Sequence, residues 1–146
     1  MFKEAIMRVT IIYWSGTGNT ARMAEAIQQG ASEAGAETKL INLSAGFDEK
    51  DLTDADRIAL GCPAMGAEEL EEEEFRPFFD DAKPVLKTKP VAIFGSYEWN
   101  TGEWMIDWAE ECTNDGINLI GSLAAYDNPD AEAIEKCIAL GKKLAE

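Results

Sequence analysis

The chain has 146 residues, with 28 Asp and Glu against 13 Lys and Arg, a formal charge of −15, and no histidine. That length suits one domain with one core, so a single domain over residues 1–146 is expected. Such a surplus of acid excludes a basic nucleic-acid face and disfavours docking on an anionic membrane, so neither nucleic acid nor membrane is an expected partner. Without histidine, acid–base catalysis near neutral pH would need a perturbed carboxylate, lysine or cysteine. Cys62, Cys112 and Cys137 lie far apart; their number and spacing suit neither a disulfide framework nor a zinc or iron–sulfur site. No apolar run approaches the roughly 20 residues of a membrane span, and MFKEAI has no long apolar core of a signal peptide. A reducing cytoplasm is the expected compartment.

In chain order, VTIIYW (Val9 to Trp14) reads as a strand buried on both faces. Asn19 to Glu33 places Met23, Ile27 and Ala31 four apart, a helical stripe, with Gly35 as its stop. TKLINL (Thr38 to Leu43) alternates like an edge or half-covered strand, and Asp48 to Asp54 reads as a short helical turn. RIALGC (Arg57 to Cys62) is a third strand, ended by Pro63. The spacing of Leu70, Phe75, Phe78 and Phe79 predicts a helix over 70–81, with Pro77 a possible kink and Pro84 its end. VAIFGS (Val91 to Ser96) is a fourth strand, and Thr101 to Asn114 a helix with Trp104 and Trp108 on one face. INLIGSLAA (Ile117 to Ala125) is a fifth strand region, and Asn128-Pro129-Asp130 opens a last helix through Leu144. This alternation argues for an α/β fold, a parallel sheet with helices on both faces. In such sheets ligands sit beyond the carboxyl ends of the strands.

Three unusual segments fall at predicted strand ends. SGTGNT (Ser15, Gly16, Thr17, Gly18, Asn19, Thr20) joins a strand to a helix start, where free N–H groups and the helix dipole favour an anion. It lacks the lysine of a GxxxxGK[ST] phosphate loop and the GxGxxG of a dinucleotide site, so a single phosphate monoester held by neutral donors fits better. Alone, the run also fits an ordinary capped turn. Pro63, Ala64, Met65, Gly66, Ala67 and Glu68 follow the third strand. Met65 there is either a core methionine or a thioether cover for an aromatic face. Ser96, Tyr97, Glu98, Trp99, Asn100 and Gly102 follow the fourth strand; Trp99 can stack on a flat ring or cap the sheet. Trp104 and Trp108 read as core or interface. Taken together, a phosphate cradle and two apolar covers describe a planar ring bearing a phosphorylated tail, and flavin mononucleotide (FMN) is such a molecule.

The motifs YWSGTGNT, GCPAMG-x-EELE and FGSY-x-W-x-x-GEWM, in that order and at these separations, resemble the flavodoxin family in its short-chain form, over Arg8 to Ala145. The resemblance implies a flavodoxin-like doubly wound sheet of five parallel strands, order 2-1-3-4-5. It implies non-covalently bound FMN, with Ser15 to Thr20 on the phosphate, Met65 on one ring face and Trp99 on the other. Glu68 would accept from the flavin N3–H, and the Gly66 peptide would flip toward N5. Pro63, Ala64, Ala67 and the Ser96 to Gly102 loop would surround the ring edge. Tyr97-Glu98-Trp99-Asn100 departs from the family's Tyr-Gly-Trp; a positive φ at Glu98 would strain it by about 1 kcal/mol or more. Ala67 stands where relatives carry a polar side chain.

The implied function is a low-potential one-electron carrier shuttling FMN between semiquinone and hydroquinone, rather than an enzyme with its own substrate. The alternative is an FMN-dependent oxidoreductase of the same fold, of the quinone reductase type. Carboxylates near the ring would oppose the second electron: two unit charges ~6 Å apart at an effective dielectric of ~20 repel by roughly 3 kcal/mol, and about 1.4 kcal/mol is ~60 mV. Expected partners are redox proteins with basic patches, such as flavodoxin/ferredoxin reductases and pyruvate oxidoreductase-type enzymes, met by a monomer. The run Glu68-Glu69-Leu70-Glu71-Glu72-Glu73-Glu74 reads equally as a solvated helix start and as a charged flavin border.

Overall fold

The apolar runs become five parallel strands in the order β2-β1-β3-β4-β5. The structure, a computed structural model, describes residues 6–65, 69–98 and 102–146. The elements are β1 (Arg8–Tyr13), α1 (Asn19–Glu33), β2 (Glu37–Asn42), α2 (Lys50–Thr53), β3 (Arg57–Gly61), α3 (Phe75–Leu86), β4 (Val91–Tyr97), α4 (Glu103–Asn114), β5 (Leu119–Tyr126) and α5 (Ala131–Leu144). A 3₁₀ turn over Leu43–Ala45, not anticipated from the sequence, links β2 toward α2. β2 lies at the sheet edge, one of the two placements its alternation allows.

Successive strand side chains point to opposite faces, so β1 feeds two cores. Val9 and Ile11 pack with Met23 and Ile27 of α1 and with Leu140 and Leu144 of α5. Ile12 packs with Phe75 and Phe79 of α3 and with Trp104 and Trp108 of α4. Both tryptophans are 2% exposed, which places them in the core rather than in a ligand platform. Phe75 and Phe79 each meet the Trp108 ring edge-on, at 5.4 and 5.9 Å between centroids, a favoured aromatic geometry.

Helix α3 differs from the expectation at both ends. It starts at Phe75 rather than at Leu70 because Glu71, 7% exposed, turns its carboxylate onto the chain ahead of it. That carboxylate accepts from the backbone N–H of Glu73 (2.8 Å), Glu74 (2.7 Å) and Phe75 (2.8 Å). Pro77 falls in the first turn, where a missing N–H costs nothing. Pro84 does not end the helix but sits inside it, in the last turn. At the other end of the chain, Asp130 caps α5 by accepting from Ala133 N at 2.8 Å.

Candidate functional site

The parallel register brings the strand ends level: Tyr13 pairs with Gly61, and Gly61 with Phe94. Backbone bonds then carry the ladder into the loops. Trp14 N donates to Gly61 O (2.9 Å), Cys62 N to Phe94 O (3.1 Å) and Ala64 N to Ser96 O (3.0 Å). The segments after β1, β3 and β4 therefore leave the sheet side by side. Between them lies a cavity of about 240 Å³. Trp14, Gly16 and Thr17 line it from the first segment; Pro63, Ala64 and Met65 from the second; Ser96, Tyr97 and Glu98 from the third.

Gly18 adopts φ 95° at the N-cap of α1, a left-handed conformation that costs a side chain but not glycine. Ser15 Oγ accepts from Gly18 N (3.1 Å) and Ala21 N (3.4 Å), and Thr17 Oγ1 accepts from Asn19 N at 3.5 Å. The bonds from Ala21 N and Asn19 N are long, so a stronger acceptor can take these donors. The first turn of α1 holds no acidic residue, whereas those of α4 and α5 hold Glu103 and Glu132. In so acidic a chain, the one loop read as an anion site is free of carboxylates. The donor set fits a phosphate monoester.

Thr20 is buried and its Oγ1 lies 3.0 Å from Ser96 Oγ, so the loop after β1 is tied to the end of β4. Met65 is 37% exposed and holds an isolated antiparallel bridge to Glu69 (N to O 2.9 and 3.0 Å). Such exposure suits a thioether that covers a bound ring. The half-buried Tyr97 ring sits 5.6 Å from Trp104 and 5.5 Å from Tyr126. Gly102 caps α4 with φ 80°. Glu98 is exposed, and among the described residues only Asp127 is a non-glycine with positive φ (54°); the strain expected at Glu98 is not there. Gly66, Ala67, Glu68, Trp99 and Asn100 lie outside the described residues.

The acidic run splits by role. Glu71 is a cap. Burial pushes its carboxyl up, but the bonds from Phe75, Glu74 and Glu73 outweigh that and hold it below the usual carboxylate range. Glu72 is raised by a hydrogen bond and charge repulsion shared with Glu69. Glu74 Oε1 accepts from Trp14 Nε1 and from Ser44 Oγ, both at 3.1 Å. Trp14 is the cavity-lining residue that the sequence reading assigned only to a strand. Its place one residue beyond β1, directly before the glycine loop, was the available signal.

A family model described as Flavodoxin matches residues 11–141. The chain belongs to the flavodoxin family. The flavodoxin of Clostridium beijerinckii is 44% identical over 136 residues, covering 92% of this chain and 97% of that one. The flavodoxin of Megasphaera elsdenii is 42% identical over 138 residues, covering 94% and 98%. The solution structure of two-electron reduced Megasphaera elsdenii flavodoxin superposes with a TM-score of 0.85, over 94% of this chain and 98% of that chain. This flavodoxin is thus an FMN-binding electron carrier of the short-chain kind, and its sheet has the order that the resemblance implied.

Proposed function

We propose that this flavodoxin carries one electron at a time at low potential, as a single flavodoxin-like domain and a monomer in the cytoplasm, without a substrate of its own. When bound, FMN supplies the electron-accepting ring. The chain binds, shields and tunes it. Ser15, Gly16, Thr17, Gly18, Asn19 and Thr20 hold the phosphate through neutral donors. Met65 and Trp99 cover the two ring faces, and Tyr97 closes the side toward β5. Pro63, Ala64, Gly66, Ala67, Glu68, Ser96, Glu98, Asn100 and Gly102 border the ring edge. The observation that carries this reading is the cavity of about 240 Å³ that segments from three parallel strand ends close together. A protein with both ring faces covered exchanges electrons through the exposed edge and leaves no face for a second substrate.

The carboxylates around that cavity make a doubly reduced, anionic ring unfavourable, which lowers the second potential. The same charge, −15 over the chain, favours encounter with reductases and oxidoreductases that present basic patches. The test is potentiometric titration of the purified yellow protein, with NADH oxidation measured in parallel. Two separated one-electron steps and no NADH oxidation are expected. A single two-electron step, or rapid NADH turnover by the protein alone, would overturn the carrier reading in favour of an enzyme.

A further inference from the structure

The SGTGNT loop itself contains no cation, yet the fold returns one to it. Helical side chains lean toward the N-terminus, and Arg22, in the first turn of α1, reaches back until its Nη1 stands 3.5 Å from where a Cβ on Gly18 would be. Its Nη2 donates to Asn19 Oδ1 and, across the chain, to Asn128 Oδ1 in the loop between β5 and α5 (2.5 Å). Among the described residues, the carboxylate pairs of 4.0 Å or less involve Arg8, Lys39, Arg76, Lys83, Lys136 and Lys142, and Arg22 is not in one. Its partners are instead two amide oxygens, one at the start of its own helix and one in the β5–α5 loop.

The contact with Asn19 has a directional consequence. A guanidinium has donors only, so the amide atom facing it is the oxygen. The Asn19 NH₂ group is then turned the other way. Asn19 is 7% exposed and begins α1, so this contact fixes which end of its amide faces Arg22.

We propose that Arg22 is the charged specificity residue of the phosphate cradle, making this chain discriminate FMN from riboflavin by charge as well as by neutral donors. This rests on the flavin reading above. A phosphate monoester carries about −1.5 to −2 at neutral pH. Arg22 attracts that charge from one layer behind Gly18, offsets part of the repulsion from the acidic chain, and positions Asn19. Arg22 is exposed, and its bond to Asn128 ties the guanidinium to the β5–α5 loop.

The test titrates the apoprotein with FMN and, separately, with riboflavin, following flavin fluorescence at low salt and at about 0.5 M salt, for the natural chain, Arg22→Gln and Arg22→Lys. The expected result is an FMN affinity about tenfold weaker in Arg22→Gln at low salt, with riboflavin affinity within about twofold. The gap narrows at high salt, where exposed charges are screened. Arg22→Lys recovers most of the FMN affinity and its salt dependence. An unchanged ratio of FMN to riboflavin affinity in Arg22→Gln would overturn the proposal while leaving the flavin reading intact, as would equal losses for both ligands. A natural chain that binds neither ligand would instead sink the flavin reading.

Discussion

Thr20 Oγ1 and Ser96 Oγ lie 3.0 Å apart in the buried wall between helix α1 and strand β4. Ser96 N also donates to Thr20 Oγ1, at 3.4 Å. The pair is internal, since Thr20 is 1% and Ser96 4% exposed. It therefore fixes the loop after β1 relative to the loop after β4 and engages both hydroxyls internally. Thr20→Val keeps the shape and strands Ser96, at a cost of about 1–2 kcal/mol. Thermal unfolding should show a Tm lower by about 3–6 °C. A double-mutant cycle with Ser96→Ala checks the coupling: additive losses would show that the hydroxyls do not act together.

Glu71 holds the start of α3 with three backbone donors. Glu71→Ala should destabilise the chain by about 2–3 kcal/mol, measured by urea unfolding. Because its carboxyl is held below the usual range in the folded state, its contribution is present above the unfolded pKa and is lost as pH falls through the folded one. Glu71→Gln, which cannot titrate, should flatten the acid limb of stability against pH. An identical acid limb in both proteins would remove this role.

Helices α1 and α5 touch backbone to backbone. A Cβ on Gly30 would lie 1.9 Å from Ile138 O, and one on Gly141 would lie 2.0 Å from Ile27 O. Neither carbonyl can yield without moving a helix. Gly30→Ala and Gly141→Ala should each cost about 2 kcal/mol or more, despite alanine's better helix propensity. Circular dichroism melts read this directly, and a stabilised variant would mean that the helices separate easily.

The three thiols should be inert. Burial pushes Cys62, Cys112 and Cys137 each up to about 12, so almost no thiolate forms at neutral pH. A thiol reagent is expected to modify all three in denaturant and none in the native state within the same interval. Fast native labelling would place at least one of them in a locally opening segment.

Glu98 is exposed at the cavity rim. Removing its charge should ease formation of the anionic ring. Glu98→Gln is expected to raise the second one-electron potential by about 10–40 mV at low salt, and by less at high salt. A shift under about 10 mV at low salt would make this carboxylate remote from the ring.

The residues alone determined the architecture. VTIIYW, RIALGC and VAIFGS are buried apolar runs separated by helical stripes, and that local pattern admits few folds besides a parallel α/β sheet. The convergence of three segments on one cavity was legible for a similar reason. SGTGNT, the Met65 segment and the Tyr97 segment each follow a strand, and parallel strands must present such segments at one edge. What local pattern could not decide involved partners distant in the chain. Glu71 reads as one of many glutamates until its carboxylate is seen on three amides, and Pro84 reads as a stop until packing keeps its helix intact. Trp14 reads as strand until Glu74, 60 residues later, holds its indole at the cavity wall. Arg22 follows the glycine loop by two residues, but its bond to Asn128, 106 residues away, exists only because α1 and the β5–α5 loop meet. Backbone periodicity is a property of neighbours, but the placement of a charge is a property of the folded surface, and only the tertiary structure supplies it.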